Sequence, residues 1–136
     1  MNLWAALGNR LWQLVSWPEY RRFGAGLGDL HGEQLSCLAR VLGRAESSAY
    51  GLRHGLKRGW SYSRFTDEVP IITYDDILPY LKLTNGLVTE PVRVWEPTGG
   101  STGGCKWIPW TAGLQQEFRS AVSAWIFDLY RQFPEV

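Results

Sequence analysis

A glycine-rich segment near the C-terminal end of the chain places the strongest constraint on its fold. Between Thr98 and Lys106, four residues are glycine and three carry hydroxyl groups. Such a segment cannot pack a core, but its backbone can turn tightly and approach a ligand closely. Successive N–H groups in a turn of this kind form a concave site for an anion. The segment therefore predicts a phosphate-binding loop, in which Ser101 and Thr102 add donors and Lys106 adds positive charge.

The composition is that of an ordinary globular chain. With 136 residues, 45% apolar and 20% charged, the chain is long enough to form a domain with a core. Its net charge of +1 gives no basic surplus of the kind that binds nucleic acid. The sequence therefore predicts no nucleic-acid partner.

Cysteine usage and targeting signals point to the cytoplasm. The two cysteines, Cys37 and Cys105, have no Cys or His neighbours at zinc-ligand spacing, so a zinc site is not expected. No run of about 18 apolar residues predicts a membrane span, and the N-terminus lacks the pattern of a signal peptide. We therefore expect a cytoplasmic protein with reduced thiols and no membrane partner.

The N-terminal half shows helical periodicity. Apolar residues recur every three or four positions over 3–15, which predicts an amphipathic helix. Ser16 and Pro18 are typical of a new helix start, and a further helix is predicted over 29–44. Segment 47–55 contains two glycines and two serines and is predicted to be a loop.

The C-terminal half combines helices with two extended segments. A helix is predicted over 74–83, with Thr73 as its cap and Asp75 and Asp76 in the first turn, where the helix dipole favours carboxylates. Because adjacent helical residues point about 100° apart, the two aspartates do not form a catalytic acid/base pair. Strand 89–95 and extended segment 106–110 flank the glycine-rich loop, and Thr111 caps a final helix whose apolar face includes Phe118 and Trp125.

These elements define the fold class and the domain organisation. We predict an α/β protein, α+β within this segment: one incomplete domain over 1–136, with a helical region over 1–88. Strand, phosphate loop, strand and long helix follow over 89–136.

Two common nucleotide-binding loops do not fit the glycine-rich segment. A P-loop requires lysine directly after its second glycine and then Ser or Thr, but Cys105 follows Gly104 and Trp107 follows Lys106. The glycine spacing of a dinucleotide-binding loop before a helix is also missing. On composition alone, a flexible Gly/Ser loop without a ligand remains the alternative.

The order of residues in this loop resembles the phosphate loop of the acyl-adenylate-forming superfamily. That pattern is Ser or Thr, Ser or Gly, Gly, two hydroxyl residues, Gly, two variable positions and Lys. The run from Thr98 to Lys106 matches every defined position. Cys105 replaces the usual proline, which should alter loop stiffness more than phosphate contact.

The flanking segments narrow the resemblance to one family. They resemble bacterial members of the auxin-responsive promoter family, the acyl acid–amido synthetases, from about residue 11 to 136. Family members are several times longer, so the resemblance implies that this chain is their N-terminal portion. The matching segments are Tyr50-Gly-Leu-Arg-His-Gly55, Val69-Pro-Ile-Ile-Thr-Tyr-Asp-Asp76, Glu90-Pro-Val92, Glu96-Pro-Thr98 and Ile108-Pro-Trp-Thr111.

The resemblance implies a two-step reaction. A carboxylic acid attacks the ATP α-phosphate to give an acyl-adenylate and pyrophosphate, and an amine or amino acid then displaces AMP. ATP and Mg²⁺ are the implied cofactors, and no catalytic residue is assigned. The implied ATP phosphate-binding residues are Thr98, Gly99, Gly100, Ser101, Thr102, Gly103, Gly104 and Lys106.

Two readings of the whole chain follow from the resemblance. In the first, the chain is a fragment of the enzyme that keeps the loop but is inactive alone. In the second, it is a non-catalytic stand-alone or split-chain interaction module, which docks on a missing C-terminal portion or a partner chain.

Three other residues are expected to be structural. The sequence predicts that His54 bonds to loop backbone, that His31 is a surface residue and that Cys37 lies in the core. Cys105 is not expected to be a catalytic thiol.

Overall fold

A computed structural model describes residues 3–99 and 105–133 of the chain. Within these residues the chain is mainly helical, with one two-stranded antiparallel sheet. The expected mixed α+β composition is therefore confirmed, whereas the division of a single incomplete domain at residue 88 stays a prediction. The elements are α1 (Leu3–Gly26), α2 (Leu30–Ala45), α3 (Ala49–His54), α4 (Tyr62–Glu68), α5 (Tyr74–Leu81), β1 (Val92–Pro97), β2 (Trp107–Thr111) and α6 (Ala112–Gln132).

The chain forms two compact units. The first contains residues 1–30 and 114–136, and the second contains residues 31–113. Both strands that flank the glycine-rich segment belong to the second unit.

Helix α1 runs without a break past Pro18, so the prediction of a new helix start at Ser16 is wrong. Ser16 is 1% exposed, and its hydroxyl has no hydrogen-bond partner among the described residues. An internal proline costs a helix about 3 kcal/mol through a lost hydrogen bond and a steric clash. Packing around Pro18 offsets that cost: the Phe127 ring lies 5.2 Å from Trp17 and 4.4 Å from Tyr20, measured between ring centroids.

The buried side of α6 differs from the predicted one. Phe118 and Trp125, both on the expected apolar face, are 59% and 66% exposed. Ala124 is buried instead, and Phe127 makes the aromatic contacts with α1. The helical period predicted the helix correctly, but which face of the helix is buried depends on contacts with residues elsewhere in the chain.

The second unit has a small core between α2 and the segment that follows it. Four buried apolar residues form its centre: Leu42, Ala45, Leu56 and Trp60. Four half-buried residues pack around them: Leu38, Tyr50, Phe65 and Val69. This core joins residues of α2, α3 and α4.

Helix α3 occupies the segment predicted to be a loop, so that prediction is wrong. Ser48 caps the helix, because its Oγ accepts the Gly51 N–H at 3.0 Å. Gly55 ends it in the left-handed region with φ of 63°, where glycine carries no steric penalty. Gly51 is buried, and a Cβ at this position would overlap the carbonyl oxygen of Ala45. The two glycines that suggested a loop therefore have other roles: Gly51 allows close packing against Ala45, and Gly55 ends the helix.

Helix α5 begins as the sequence predicts and ends two residues early. The Asp76 carboxylate accepts the Thr73 N–H at 2.8 Å and the Thr73 hydroxyl at 2.7 Å. Both hydrogen bonds lower the pKa of Asp76 below its usual value, and the one from the Thr73 N–H has the larger effect. The capping role of Asp76 is confirmed. The pair Asn85-Gly86 is typical of a turn, and Asn85 lies in the left-handed region with φ of 56°.

Candidate phosphate-loop site

The glycine-rich segment connects the two strands of an antiparallel hairpin. Trp95 pairs with Pro109, and Pro97 pairs with Trp107. A bulge interrupts the register between Val92 and Val94. Pro109 is tolerated because each strand of a two-stranded sheet has an edge where no N–H is required. Extended segments on both sides of the loop are confirmed, although β1 covers 92–97 instead of the predicted 89–95 and β2 covers 107–111 instead of 106–110.

Two of the predicted site residues meet where the loop joins the hairpin. The Thr98 N–H donates to the Lys106 carbonyl at 2.8 Å, and the Lys106 N–H donates to Thr98 Oγ1 at 3.3 Å. We call this pair the loop root. It closes a connection of seven residues, 99–105. Gly99 is described and exposed, whereas five predicted site residues lie outside the described residues: Gly100, Ser101, Thr102, Gly103 and Gly104.

Tyr74, the first residue of α5, contacts the loop root from outside the hairpin. Its phenolic oxygen accepts the Trp107 N–H at 2.9 Å, and its hydroxyl donates to the Trp107 carbonyl at 3.4 Å. The Lys106 ammonium lies 5.4 Å from the centroid of the Tyr74 ring, a cation–π distance. Sequence reasoning missed Tyr74, although it lies in the matching segment 69–76 and directly follows the cap Thr73.

Glu90 holds the other end of the hairpin. Its Oε2 accepts the Gly113 N–H, in the first turn of α6, at 2.8 Å, and its Oε1 lies 3.1 Å from Arg44 Nε. The hydrogen bond from Gly113 is the main cause that lowers the pKa of Glu90, with smaller contributions from the Thr111 side chain and from Arg44. A carboxylate at a helix N-terminus is favourable. Glu90 therefore stabilises the start of α6, which begins directly after Thr111, the predicted cap.

The segment before Glu90 is tied to the same end of α2. The Thr89 N–H and hydroxyl both donate to the Arg44 carbonyl, at 3.2 and 3.4 Å. Arg44 therefore fixes residues 89 and 90 through its backbone and its side chain. This contact could be suspected only from the matching segment Glu90-Pro-Val92, because nothing in the local pattern links residue 90 to residue 44.

The remaining candidate residues lie away from the loop root or on the surface. The His54 ring packs against Tyr50, with centroids 4.4 Å apart. His31 is exposed, as predicted. Cys37 is exposed as well, so its predicted place in the core is wrong. Cys105 is an exposed free thiol. Across 3–99 and 105–133, no three His, Cys, Asp or Glu residues form a group that could hold a metal ion.

Comparison with known proteins identifies the family. Residues 21–136 match the GH3 family N-terminal domain. The chain belongs to the GH3 family. The GH3 match includes the hairpin, the loop root, Tyr74 and Glu90. The predicted family is confirmed at this level, whereas a place among its bacterial members stays a prediction.

One curated relative is the indole-3-acetic acid-amido synthetase GH3.8 of Oryza sativa subsp. indica. It is 32% identical to this chain over 73 residues. The aligned part is 49% of this GH3 chain and 12% of the rice protein, so the chain spans a small part of that relative's length. No solved structure matches the chain. In the part of the chain that the structure describes, no helix combines the length and apolar character needed to cross a membrane.

Proposed function

We propose that this chain carries the ATP phosphate-binding loop of an acyl acid–amido synthetase. The observation that carries the proposal is the GH3 match, which contains the whole run from Thr98 to Lys106. The printed name of the rice relative, an amido synthetase, supports the reaction class. The proposed phosphate-binding residues are Thr98, Gly99, Gly100, Ser101, Thr102, Gly103, Gly104 and Lys106.

The proposed reaction needs little acid/base chemistry from the protein. A carboxylate oxygen attacks the α-phosphorus of ATP, the bond from that phosphorus to the bridging oxygen breaks, and pyrophosphate leaves. The nitrogen of an amine then attacks the acyl carbonyl carbon and AMP leaves, which gives an amide. Negative charge grows on the departing pyrophosphate, where positioned N–H groups and an ammonium group are most effective.

The described residues at the loop root fit that role. The backbone of Lys106 is held by Thr98, and its exposed side chain has the Tyr74 ring as its described contact. Because this ring is uncharged, a phosphate that binds the Lys106 ammonium breaks no salt bridge with it. Mg²⁺, when bound, would neutralise phosphate oxygens, and we propose that it reaches the site on the nucleotide.

Binding of pyrophosphate and MgATP tests the loop directly. We expect isothermal titration calorimetry of the 136-residue chain to detect binding that Lys106→Ala weakens at least tenfold, because an ammonium–phosphate contact is worth about 1.5–3 kcal/mol. Lys57→Ala is the matched control, since Lys57 is an exposed lysine outside the hairpin. Equal binding by both variants, or no binding by the wild type, would contradict the proposal.

The alternative is a non-catalytic interaction module. Exposed apolar side chains on the hairpin favour it: Val94 is 46%, Trp107 48% and Ile108 40% exposed. ATP–pyrophosphate exchange with a panel of carboxylic acids separates the two proposals. If the chain catalyses exchange only when the downstream part of a GH3 enzyme is added, the synthetase proposal is supported. If the chain forms a complex with that part but no exchange occurs, the interaction-module proposal is supported. Exchange by this chain alone, lost in Lys106→Ala, would refute the proposal that it is inactive by itself.

A further inference from the structure

We infer that Tyr74 is a positioning residue for Lys106: it fixes the loop root with its hydroxyl and holds the lysine ammonium at the loop with its ring. The inference rests on the proposed phosphate-binding function, because it assigns to Tyr74 a role at the same site.

The Tyr74 hydroxyl fixes the backbone next to Lys106. One phenolic oxygen accepts the N–H of Trp107 and donates to its carbonyl, so both backbone groups of that residue meet the same side chain. Trp107 is the first residue of β2 and directly follows Lys106. The Lys106 backbone is therefore held from two sides, by Thr98 across the hairpin and by Tyr74 through its neighbour.

The Tyr74 ring restricts the lysine side chain. A lysine has a flexible four-carbon stem, and free rotation would spread its ammonium over a wide volume. At 5.4 Å from the ring centroid, the Lys106 ammonium is attracted by the face of the aromatic ring. The ring is uncharged, so it concentrates the ammonium near the loop without neutralising it. An arriving phosphate can then take the ammonium without breaking an ion pair.

The start of α5 gives Tyr74 a firm base. The two hydrogen bonds from Thr73 to Asp76 fix the turn from which the Tyr74 side chain projects. Tyr74 is half-buried, which limits its own rotamers. The capped start of α5 thus positions Tyr74, and Tyr74 in turn contacts Lys106 and Trp107 at the end of the loop.

Nuclear magnetic resonance of the free protein tests the two contacts without any ligand. In the wild type we expect the ε-methylene protons of Lys106 to be shifted upfield by the ring current of Tyr74. Tyr74→Phe should keep that shift but move the Trp107 amide proton upfield, because the hydrogen bond to the hydroxyl is lost. Tyr74→Leu should abolish both. A Lys106 signal that Tyr74→Leu leaves unchanged would overturn the inference.

Pyrophosphate titration tests the positioning role. The hydroxyl and the ring each contribute a modest interaction, so we expect about threefold weaker binding for Tyr74→Phe and about tenfold for Tyr74→Leu. In a Lys106→Ala background the additional loss caused by removing the ring should disappear, because the ring acts through the lysine. An equal effect of Tyr74→Leu in both backgrounds would show a purely structural role and refute the inference.

Controls separate this result from other failures. Tyr62→Leu replaces a tyrosine that is 63% exposed on α4 and should leave pyrophosphate binding unchanged. Should Tyr74→Leu lose its helical circular dichroism, Tyr74→Phe carries the test through the Trp107 amide shift and the threefold loss. No pyrophosphate binding by the wild type refutes the proposed function, while the Lys106 and Trp107 signals still decide whether Tyr74 holds the root.

Discussion

Replacement of Glu90 tests how the N-terminus of α6 is held. The carboxylate accepts the Gly113 N–H at 2.8 Å and pairs with Arg44 at 3.1 Å, and the two charged side chains are only 27% and 30% exposed. In Glu90→Ala the Gly113 N–H loses this acceptor and the Arg44 guanidinium loses its contact with Glu90. In Glu90→Gln an acceptor oxygen remains but the charge is gone.

The expected magnitudes follow from these contacts. Loss of a capping acceptor costs about 1 kcal/mol, and loss of a partly exposed ion pair adds about 0.5–1 kcal/mol after screening by solvent. We therefore expect Glu90→Ala to lower the free energy of unfolding by about 1.5–2 kcal/mol and Glu90→Gln by about 1 kcal/mol.

Urea unfolding, followed by far-ultraviolet circular dichroism at pH 7, measures these differences. Glu68→Ala is the matched control, since Glu68 is an exposed glutamate at the last residue of α4; its effect should stay within about 0.5 kcal/mol of zero. If Glu90→Ala proves as mild as Glu68→Ala, the capping and pairing roles of Glu90 are refuted.

The same comparison has a definite pH dependence. The pKa of Glu90 is lower in the folded protein than in the unfolded chain, so its carboxylate stabilises the fold. That contribution is fully present above the unfolded pKa of about 4.3. It is lost as the pH falls through the lower folded pKa. The stability gap between the wild type and Glu90→Gln should therefore close in acid, and a gap that stays constant from neutral pH to pH 3 contradicts the reasoning.

Two glycine substitutions give further tests by urea unfolding. Helix propensity predicts that Gly113→Ala stabilises α6 by about 1 kcal/mol, but the new Cβ would lie 2.7 Å from both Glu90 carboxylate oxygens and 2.8 Å from Arg44 Cζ. We expect net destabilisation in the wild type and stabilisation when Glu90 and Arg44 are both alanine, because that double background removes the three crowding atoms; the same sign in both backgrounds argues against this crowding. Gly51→Ala should cost about 2–3 kcal/mol by overpacking, whereas Gly59→Ala, with open space around it, should change stability by under about 0.5 kcal/mol. Equal effects would refute the close packing at Gly51.

Features encoded by neighbouring residues could be predicted well. Thr73 and Asp76, which form the cap of α5, are three positions apart, and the turn at Asn85 needs only one residue in the left-handed region. The two extended segments around the loop follow from the alternation of Val92 and Val94 with their neighbours, and from Pro109, which disfavours helix in the residue before it. In each case the deciding interaction lies within a few positions of sequence, so the pattern contains it.

Features decided by distant residues were missed. Pro18 suggested a helix start, but aromatic packing against Phe127 carries α1 through it. The glycines of 51–55 suggested a loop, because their pattern does not reveal that Gly51 packs against a carbonyl of α2. Cys37 was placed in the core by residue type alone, and the packing of α2 exposes it.

For the candidate site, the sequence alone determined which chemical groups are present: the order of glycines, hydroxyls and lysine from Thr98 to Lys106, and the extended segments on either side. Only the tertiary structure decided which distant residues hold the two ends of the hairpin. Glu90 meets Gly113 across 23 positions and Tyr74 meets Trp107 across 33 positions. A local pattern records which atoms a loop offers to a ligand, since those are properties of its residues. It does not record which distant side chain contacts the residues at the end of the loop, because that depends on how the chain packs.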